Sequence, residues 1–89
     1  MSPLKVNLPT PLVEYTQGIR DVEAAGDTLA NLLLDLDRRY PGIRFRMIDE
    51  QGQIRAHIKL FVNAELQRSL AMPLERDDEV MIVAALSGG

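Results

Sequence analysis

The chain ends in Ser87-Gly88-Gly89, and its terminal glycine carboxylate is the group whose position in the sequence offers the clearest chemistry. Glycine has no Cβ, so Gly88 and Gly89 can pass through a narrow channel that larger residues would block. A carboxylate is a poor electrophile, but an ATP-dependent partner can convert it to an acyl-adenylate, which has a good leaving group. A sulfur or nitrogen nucleophile can then attack the carbonyl carbon, and this chemistry requires no catalytic side chain on the carrier.

Two terminal glycines taken alone are more typical of a frayed end. Here they follow an apolar segment, Glu79 to Ala85, which we predict to be a buried strand. A strand in the core would anchor the short tail that follows it. The sequence therefore predicts a rigid body that presents a thin strip ending in a carboxylate.

The other reactive side chains are few. The 89 residues include no cysteine and a single histidine, His57, which excludes a disulfide framework, a thiol nucleophile and a multi-histidine metal site. We interpret His57 as a structural or surface residue. Asp35 and Asp37 lie too near the solvent side of the predicted helix to form an acid/base pair. We expect no bound cofactor and no enzymatic activity of the chain's own.

The charge balance and the apolar segments limit the partners. The chain has 13 acidic and 10 basic residues, a net charge of −3, which argues against binding to a phosphate backbone. No apolar run approaches the ~20 residues needed to span a bilayer. The segment Met1 to Thr10 lacks the apolar core of a signal peptide. We expect a soluble, cytoplasmic protein with no nucleic-acid or membrane partner.

Alternation of apolar and polar residues predicts several strands. They lie at Leu4 to Leu8, Gly18 to Ala25, Ile58 to Val62, Glu65 to Arg68 and Glu79 to Ala85. The mixed pattern from Leu12 to Gly18 predicts a turn or bulge. The segment Ile43 to Ile48 fits either a strand or a short helical turn, and the sequence leaves both open.

One helix is predicted between the second and third strands. Asp27 and Thr28 are residue types that cap a helix N-terminus, and Pro41-Gly42 ends the pattern. Between them an apolar stripe has helical spacing, formed by Leu29, Leu32, Leu33, Leu36 and Tyr40. A single helix among strands predicts an α+β domain with the helix laid across a sheet. We place this single domain at residues 1–85 and a flexible C-terminal tail at 86–89.

Five short segments, in their order and spacing, resemble the ThiS/MoaD family of ubiquitin-like sulfur carriers over nearly the whole chain. They are Ala25-Gly26-Asp27-Thr28-Leu29, Tyr40-Pro41-Gly42-Ile43, Phe61-Val62-Asn63, Asp77-Asp78-Glu79-Val80 and Ser87-Gly88-Gly89. Asp77-Asp78 departs from the family, in which Gly-Asp is commoner at this turn. The resemblance implies a β-grasp fold, with a mixed four- to five-stranded sheet and one long helix packed across it.

The resemblance also implies a function. A ubiquitin-activating-type adenylyltransferase would use ATP to adenylate Gly89, while Leu86, Ser87 and Gly88 thread its active site. Sulfur from a persulfide or sulfide donor would convert Gly89 to a thiocarboxylate. A biosynthetic enzyme would accept that sulfur for molybdopterin, thiamine, cysteine or a thio-metabolite. The chain would be a co-substrate, or the small subunit of a sulfur-transfer enzyme such as molybdopterin synthase, and a trimming or desulfurating protease is a further candidate partner.

A partner-binding patch is predicted on the sheet face opposite the helix. If Val80 and Ile82 face the helix, strand alternation turns Met81 and Val83 outward. The same count turns Phe61 outward, and ubiquitin-like folds use this face for docking. Phe61, Met81 and Val83 would form the patch. The alternative is a register shifted by one residue, which would place Phe61 in the core.

Two other functions fit the same features. The chain can be a protein modifier that forms isopeptide bonds through Gly89, as ubiquitin does. It can also be a β-grasp binding module for which the tail is incidental. No residue in the sequence separates these alternatives from the sulfur carrier.

Overall fold

The computed structural model describes residues 3–85, which fold into one five-stranded sheet with an α-helix across one face. The strands are β1 (Leu4–Asn7), β2 (Asp21–Ala24), β3 (Ile58–Val62), β4 (Glu65–Gln67) and β5 (Glu79–Ala84), and the helix α1 is Leu29–Arg39. The strand order is β2-β1-β5-β3-β4. β1 and β5 are parallel and the other neighbours are antiparallel. The predicted α+β class and mixed sheet are confirmed.

Alternation along the strands assigns one face of the sheet to the core. In β1, Leu4 and Val6 are buried while Lys5 and Asn7 are exposed. In β5, Val80 and Ile82 are each 1% exposed. The period of two in the sequence therefore directly determined which side chains face α1.

The start of α1 is capped from two sides. The Thr28 hydroxyl accepts a hydrogen bond from the Asn31 amide at 3.2 Å, as the sequence predicts for an N-cap residue. The Leu29 and Ala30 amides donate to the carbonyls of Met72 and Leu70 at 3.0 and 2.8 Å. The loop before β5 thus satisfies amides that a helix leaves without internal partners.

The apolar stripe of α1 forms the centre of the core. Leu29, Leu32, Leu33 and Leu36 are all fully buried, and burying a leucine contributes about 1.5–3 kcal/mol relative to exposure. Tyr40 is half-buried at the helix C-cap and packs against the same cluster. The stripe predicted from spacing is confirmed as the helix face that holds the sheet.

Two connections differ from the sequence expectation or resolve it. The predicted turn or bulge after β1 is a 3-10 helix at Thr10–Thr16. β2 consequently begins at Asp21 rather than Gly18. The segment after α1 contains a 3-10 helix at Arg44–Arg46, so the helical alternative is correct there.

The conformation after α1 depends on tertiary contacts. The Asp37 carboxylate accepts from the Gly42 and Arg44 amides at 3.1 and 3.0 Å, which holds the chain in a tight turn. Ile43 and Met47, four residues apart, both become fully buried. Phe45 between them is 57% exposed, an arrangement that strand alternation would not produce.

Candidate functional site

The sheet face opposite α1 carries a cluster of apolar side chains. Phe61 of β3 pairs with Met81 of β5 on one side and with Leu66 of β4 on the other, so the three share a face. Met81 and Leu66 are each 41% exposed, and Phe61 is half-buried. Val83, also half-buried, extends the cluster along β5. We call these four residues the outer-face patch.

The register decides between the two alternatives left open by the sequence. Leu60 and Val62 are 0% and 2% exposed and face the core. Phe61 therefore points to the outer face, and the predicted register is confirmed. A slip of one residue would exchange the two sets. The role of Phe61, Met81 and Val83 in binding a partner stays a prediction.

Leu66 is a member of the patch that the sequence analysis missed. The loop between β3 and β4 has two residues, Asn63 and Ala64, so Val62 pairs with Glu65 and Phe61 with Leu66. Both loop residues have positive φ, 51° and 71°, as a tight two-residue hairpin turn requires. Counting outward from that turn would have identified Leu66 from the sequence.

Polar residues border the outer-face patch. Lys59 pairs with Val83 and Asn7 pairs with Met81. Both side chains are exposed. An apolar centre with a polar rim is the usual composition of a transient protein interface. The composition of this face therefore matches that of a protein interface.

The C-terminal end of β5 fixes the point from which the chain continues to its terminus. β5 is the central strand of the sheet, between β1 and β3. Ala84 pairs with Ile58, and the Ala85 amide donates to the His57 carbonyl at 2.8 Å. The predicted tail residues Leu86, Ser87, Gly88 and Gly89 lie outside the described residues.

The candidate acids and the histidine occupy structural or surface positions. The Asp35 carboxylate accepts from the Ala25 amide at 2.8 Å and pairs with Arg38 and Arg39 of α1. The Ala25 hydrogen bond and then the arginine contacts lower the pKa of Asp35 from 3.8 to about 2. This carboxylate ties the helix to the end of β2 and stays ionised. His57 is exposed.

Two segments that carried the family resemblance meet in space. The side-chain amide of Asn63 donates to Asp78 at 2.8 Å, and its carbonyl oxygen accepts from the Glu79 amide at 3.0 Å. The Asp78 carboxylate also accepts from the Glu75 amide at 2.8 Å. Asp77 has a φ of 69°, a conformation that favours glycine. Glycine, commoner in the family, would fit this position with less strain.

The described part of the chain contains neither a group of side chains placed to hold a metal ion nor a helix able to cross a membrane. No group of three His, Cys, Asp or Glu side chains within residues 3–85 is placed to hold a metal ion. Over the same residues, no helix has the length and apolar character needed to cross a bilayer.

Comparison with known proteins identifies similar chains. A family model described as the ThiS family matches residues 6–89. The sequence is 36% identical to the sulfur carrier protein CysO of Mycobacterium tuberculosis, over 94% of this chain and 96% of CysO. The crystal structure of that CysO superposes with a TM-score of 0.88 at 34% identity, covering 93% of this chain and 99% of CysO.

Two further solved structures have the same fold. A chain of the BexX/CysO complex from Amycolatopsis orientalis matches with a TM-score of 0.87 at 30% identity, covering 97% of this chain and 99% of that one. SAMP1 from Haloferax volcanii matches with a TM-score of 0.83 at 25% identity, over 99% and 100%. The β-grasp fold implied by the sequence resemblance is confirmed.

Proposed function

The chain belongs to the ThiS family, and from this membership we propose that it is a sulfur carrier protein charged on its C-terminal glycine. The observation that carries the proposal is the match to the ThiS family model over residues 6–89, which includes Ser87-Gly88-Gly89, together with the 36% identity to the sulfur carrier protein CysO. As a member of this family the chain is a co-substrate rather than an enzyme. Its sulfur is transferred in each reaction, and Gly89 must then be charged again.

The proposed charging reaction proceeds in two steps. The Gly89 carboxylate attacks the α-phosphate of ATP bound to a ubiquitin-activating-type adenylyltransferase, and pyrophosphate leaves. A hydrosulfide, or the terminal sulfur of a persulfide, then attacks the acyl carbon, and AMP leaves. Hydrosulfide gives the thiocarboxylate directly after loss of its proton. With a persulfide, the product is an acyl disulfide. A thiol must then attack its outer sulfur, which releases the thiocarboxylate and leaves a disulfide between the thiol and the donor.

The geometry supports a division of labour between the domain and the tail. The outer-face patch supplies a protein-docking surface, and the Ala85–His57 hydrogen bond fixes where the tail begins. Leu86, Ser87 and Gly88 then enter the partner's active site as a thin strip. We propose that binding energy comes from the patch, because glycines contribute little buried apolar area.

The test is an intact-mass measurement of the charged carrier. The chain is incubated with ATP, a ubiquitin-activating-type enzyme from the same genome and a sulfide donor. The expected product is heavier by the difference between a sulfur and an oxygen atom. The variant lacking Gly89 is the control and should remain uncharged. A wild-type chain that never gains sulfur, or a deletion variant that does, would overturn the proposal.

Cysteine biosynthesis is the pathway that fits the CysO relatives, and we propose it ahead of molybdopterin, thiamine or a thio-metabolite. The sulfur acceptor would then be an enzyme that takes sulfur from the thiocarboxylate to build the cysteine thiol. A desulfurating or trimming protease is a further proposed partner. The test is transfer of labelled sulfur from the charged chain to cysteine in a lysate of the source cells.

A second candidate function has a specific observation in its favour. The structure is similar to SAMP1 of Haloferax volcanii, a small archaeal modifier protein. In that role an acceptor lysine amine, rather than sulfur, would attack the Gly89 adenylate and AMP would leave. Conjugates of higher mass in a lysate, lost when Gly89 is deleted, would favour the modifier over the carrier.

A further inference from the structure

A cleft of about 480 Å³ lies beside the C-terminal end of β5 and is separate from the outer-face patch. Phe45, Arg46, Arg55 and His57 line it together with Ala84, the last residue of β5. The segment after α1 contributes the first two of these residues, and the chain before β3 contributes the next two. The fold thus gathers an exposed aromatic ring and two guanidinium groups where the tail begins.

Arg55 is held in place against Phe45. Its guanidinium lies 4.6 Å from the centre of the Phe45 ring, and its Nε donates to the Phe45 carbonyl at 2.8 Å. Phe45 is nevertheless 57% exposed. The pair presents a flat, positively charged surface. Because Arg55 is already ordered in the free domain, a partner that binds it would lose little further side-chain entropy.

Arg46 is also fixed, and neither Arg46 nor Arg55 forms a salt bridge, although the Glu14 carboxylate is close enough to attract Arg46. The Arg46 Nε donates to the Tyr15 hydroxyl at 2.6 Å. Within residues 3–85 the salt bridges are those of Asp35 with Arg38 and Arg39. Glu14 also lines the cleft, but it makes no salt bridge with either arginine. Both guanidinium groups are therefore held in place by neutral partners, which leaves their charge available to a carboxylate on a binding partner.

The length of the tail places this cleft within a partner's reach. Four residues follow Ala85, and a fully extended chain spans at most ~3.6 Å per residue, or ~14 Å for four. An enzyme that holds Gly89 in its active site must therefore approach Ala85 to within about that distance. Side chains around the end of β5 must then contact the rim of its active-site channel.

We propose that Phe45, Arg46 and Arg55 form a second docking contact with the activating enzyme, and that the rim of that enzyme's channel carries carboxylates at this position. The inference rests on the proposed charging of Gly89. The guanidinium group of arginine binds a carboxylate through two parallel hydrogen bonds. The exposed Phe45 ring, next to both arginines, adds an apolar contact. The contact would add affinity for the enzyme at the base of the tail.

The test is steady-state adenylation with the full chain, measured as ATP–pyrophosphate exchange against carrier concentration. Reversing both charges, Arg46→Glu with Arg55→Glu, should raise the KM for the carrier about tenfold while kcat changes little. The wild-type KM should rise between about 0.05 M and about 0.5 M salt, because salt screens exposed charges. The double variant should lose most of that salt dependence.

Three further variants separate charge from folding. The Arg46→Lys, Arg55→Lys protein keeps both positive charges but loses the planar forks, so its KM should lie between those of the wild type and the double reversal. Arg76→Glu, in the exposed turn before the opposite end of β5, is compared with the single reversal Arg55→Glu, because each changes the net charge by −2; Arg76→Glu should behave as wild type and Arg55→Glu should raise the KM. Circular dichroism melts confirm that each variant is folded.

The outcomes distinguish this inference from the proposed function. If the wild type is adenylated and the double reversal has an unchanged KM, the docking contact is wrong and charging on Gly89 stands. If the Arg76→Glu variant loses as much as the Arg55→Glu variant, the effect is one of net charge and the cleft has no special role. If the wild type is not adenylated at all, both proposals fail together.

Discussion

Gly26, between β2 and α1, is expected to be intolerant of any side chain. A Cβ built there would lie 2.3 Å from the Leu32 amide nitrogen, 2.6 Å from the Leu32 Cα and 2.8 Å from the Asn31 carbonyl carbon. All three atoms belong to the backbone of α1, so no rotamer change can relieve the contact. Gly26 does not have a positive φ, so alanine would meet no conformational strain of its own.

The cost of Gly26→Ala can be worked from these distances. Ordinary contacts begin at 3.4 Å, so α1 or the loop must move by about 1 Å. Leu29, Leu32 and Leu33 on that helix are fully buried, and displacing such a packed element costs typically 1–3 kcal/mol. The lower entropy of the unfolded alanine chain offsets about 0.4–1 kcal/mol. We expect a net loss of about 1–2 kcal/mol.

Urea and thermal denaturation followed by circular dichroism measure this loss. About 1–2 kcal/mol corresponds to a fall in Tm of roughly 4–16 °C for a domain of this size. Gly52→Ala is the control, because nothing lies within 4 Å of its added Cβ and only its φ of 81° is unfavourable. It should cost about 1 kcal/mol. A Gly26→Ala protein as stable as the parent would refute the close approach of loop and helix.

Three more predictions concern other parts of the molecule. Asp35→Asn should lower the free energy of unfolding at pH 7 by about 1 kcal/mol, since the exposed arginines it pairs with are screened by water. Folding lowers the pKa of Asp35 from 3.8 to about 2. The ionised carboxylate therefore stabilises the folded state above about pH 4, and this contribution is lost as the pH falls towards 2. Between pH 4 and 2 the urea midpoint should fall more in the wild type than in the variant. Ala64→Gly should raise the free energy of unfolding, measured by urea denaturation, by about 0.5–1 kcal/mol, because Ala64 has a φ of 71° that glycine adopts without strain. Met81→Ser should weaken binding of the activating enzyme about tenfold by calorimetry, whereas Leu34→Ser, at an exposed leucine on α1, should leave it unchanged.

Each of these has a contrary result. An Asp35→Asn protein whose stability follows the wild type from pH 4 to 2 would show that the carboxylate is not specially stabilised by folding. An Ala64→Gly protein that is less stable would contradict the left-handed turn. Equal binding losses at Met81 and Leu34 would mean that the outer-face patch is not the docking surface.

Several features of the site could be predicted because they depend on one element at a time. Strand alternation places Phe61 on the face opposite Leu60 and Val62, and helical spacing places the leucines of α1 in one stripe. The Thr28 cap uses an amide three residues away. Such features depend on residues close together in the sequence, so residue types and their spacing predict them.

Other features depend on which elements meet, and sequence patterns do not record that. The segment Ile43 to Ile48 became helical because Asp37 binds two of its neighbouring amides and the core accepts Ile43 and Met47. The 3-10 helix after β1 replaced an expected turn for a related reason. Leu12 within it is buried in the core, and the Tyr15 hydroxyl accepts from the Nε of Arg46, 31 residues away, at 2.6 Å.

The sequence by itself determined the class of fold, the alternation of residues along its strands, the apolar face of its helix, and a diglycine terminus whose chemistry needs no side chain. Tertiary structure alone decided that Gly26 touches the backbone of α1 and that Arg55 lies over Phe45 beside the end of β5. The physical reason is the range of the interactions. Periodicity within an element fixes its own faces, whereas contacts between segments distant in sequence are selected only when the whole core packs.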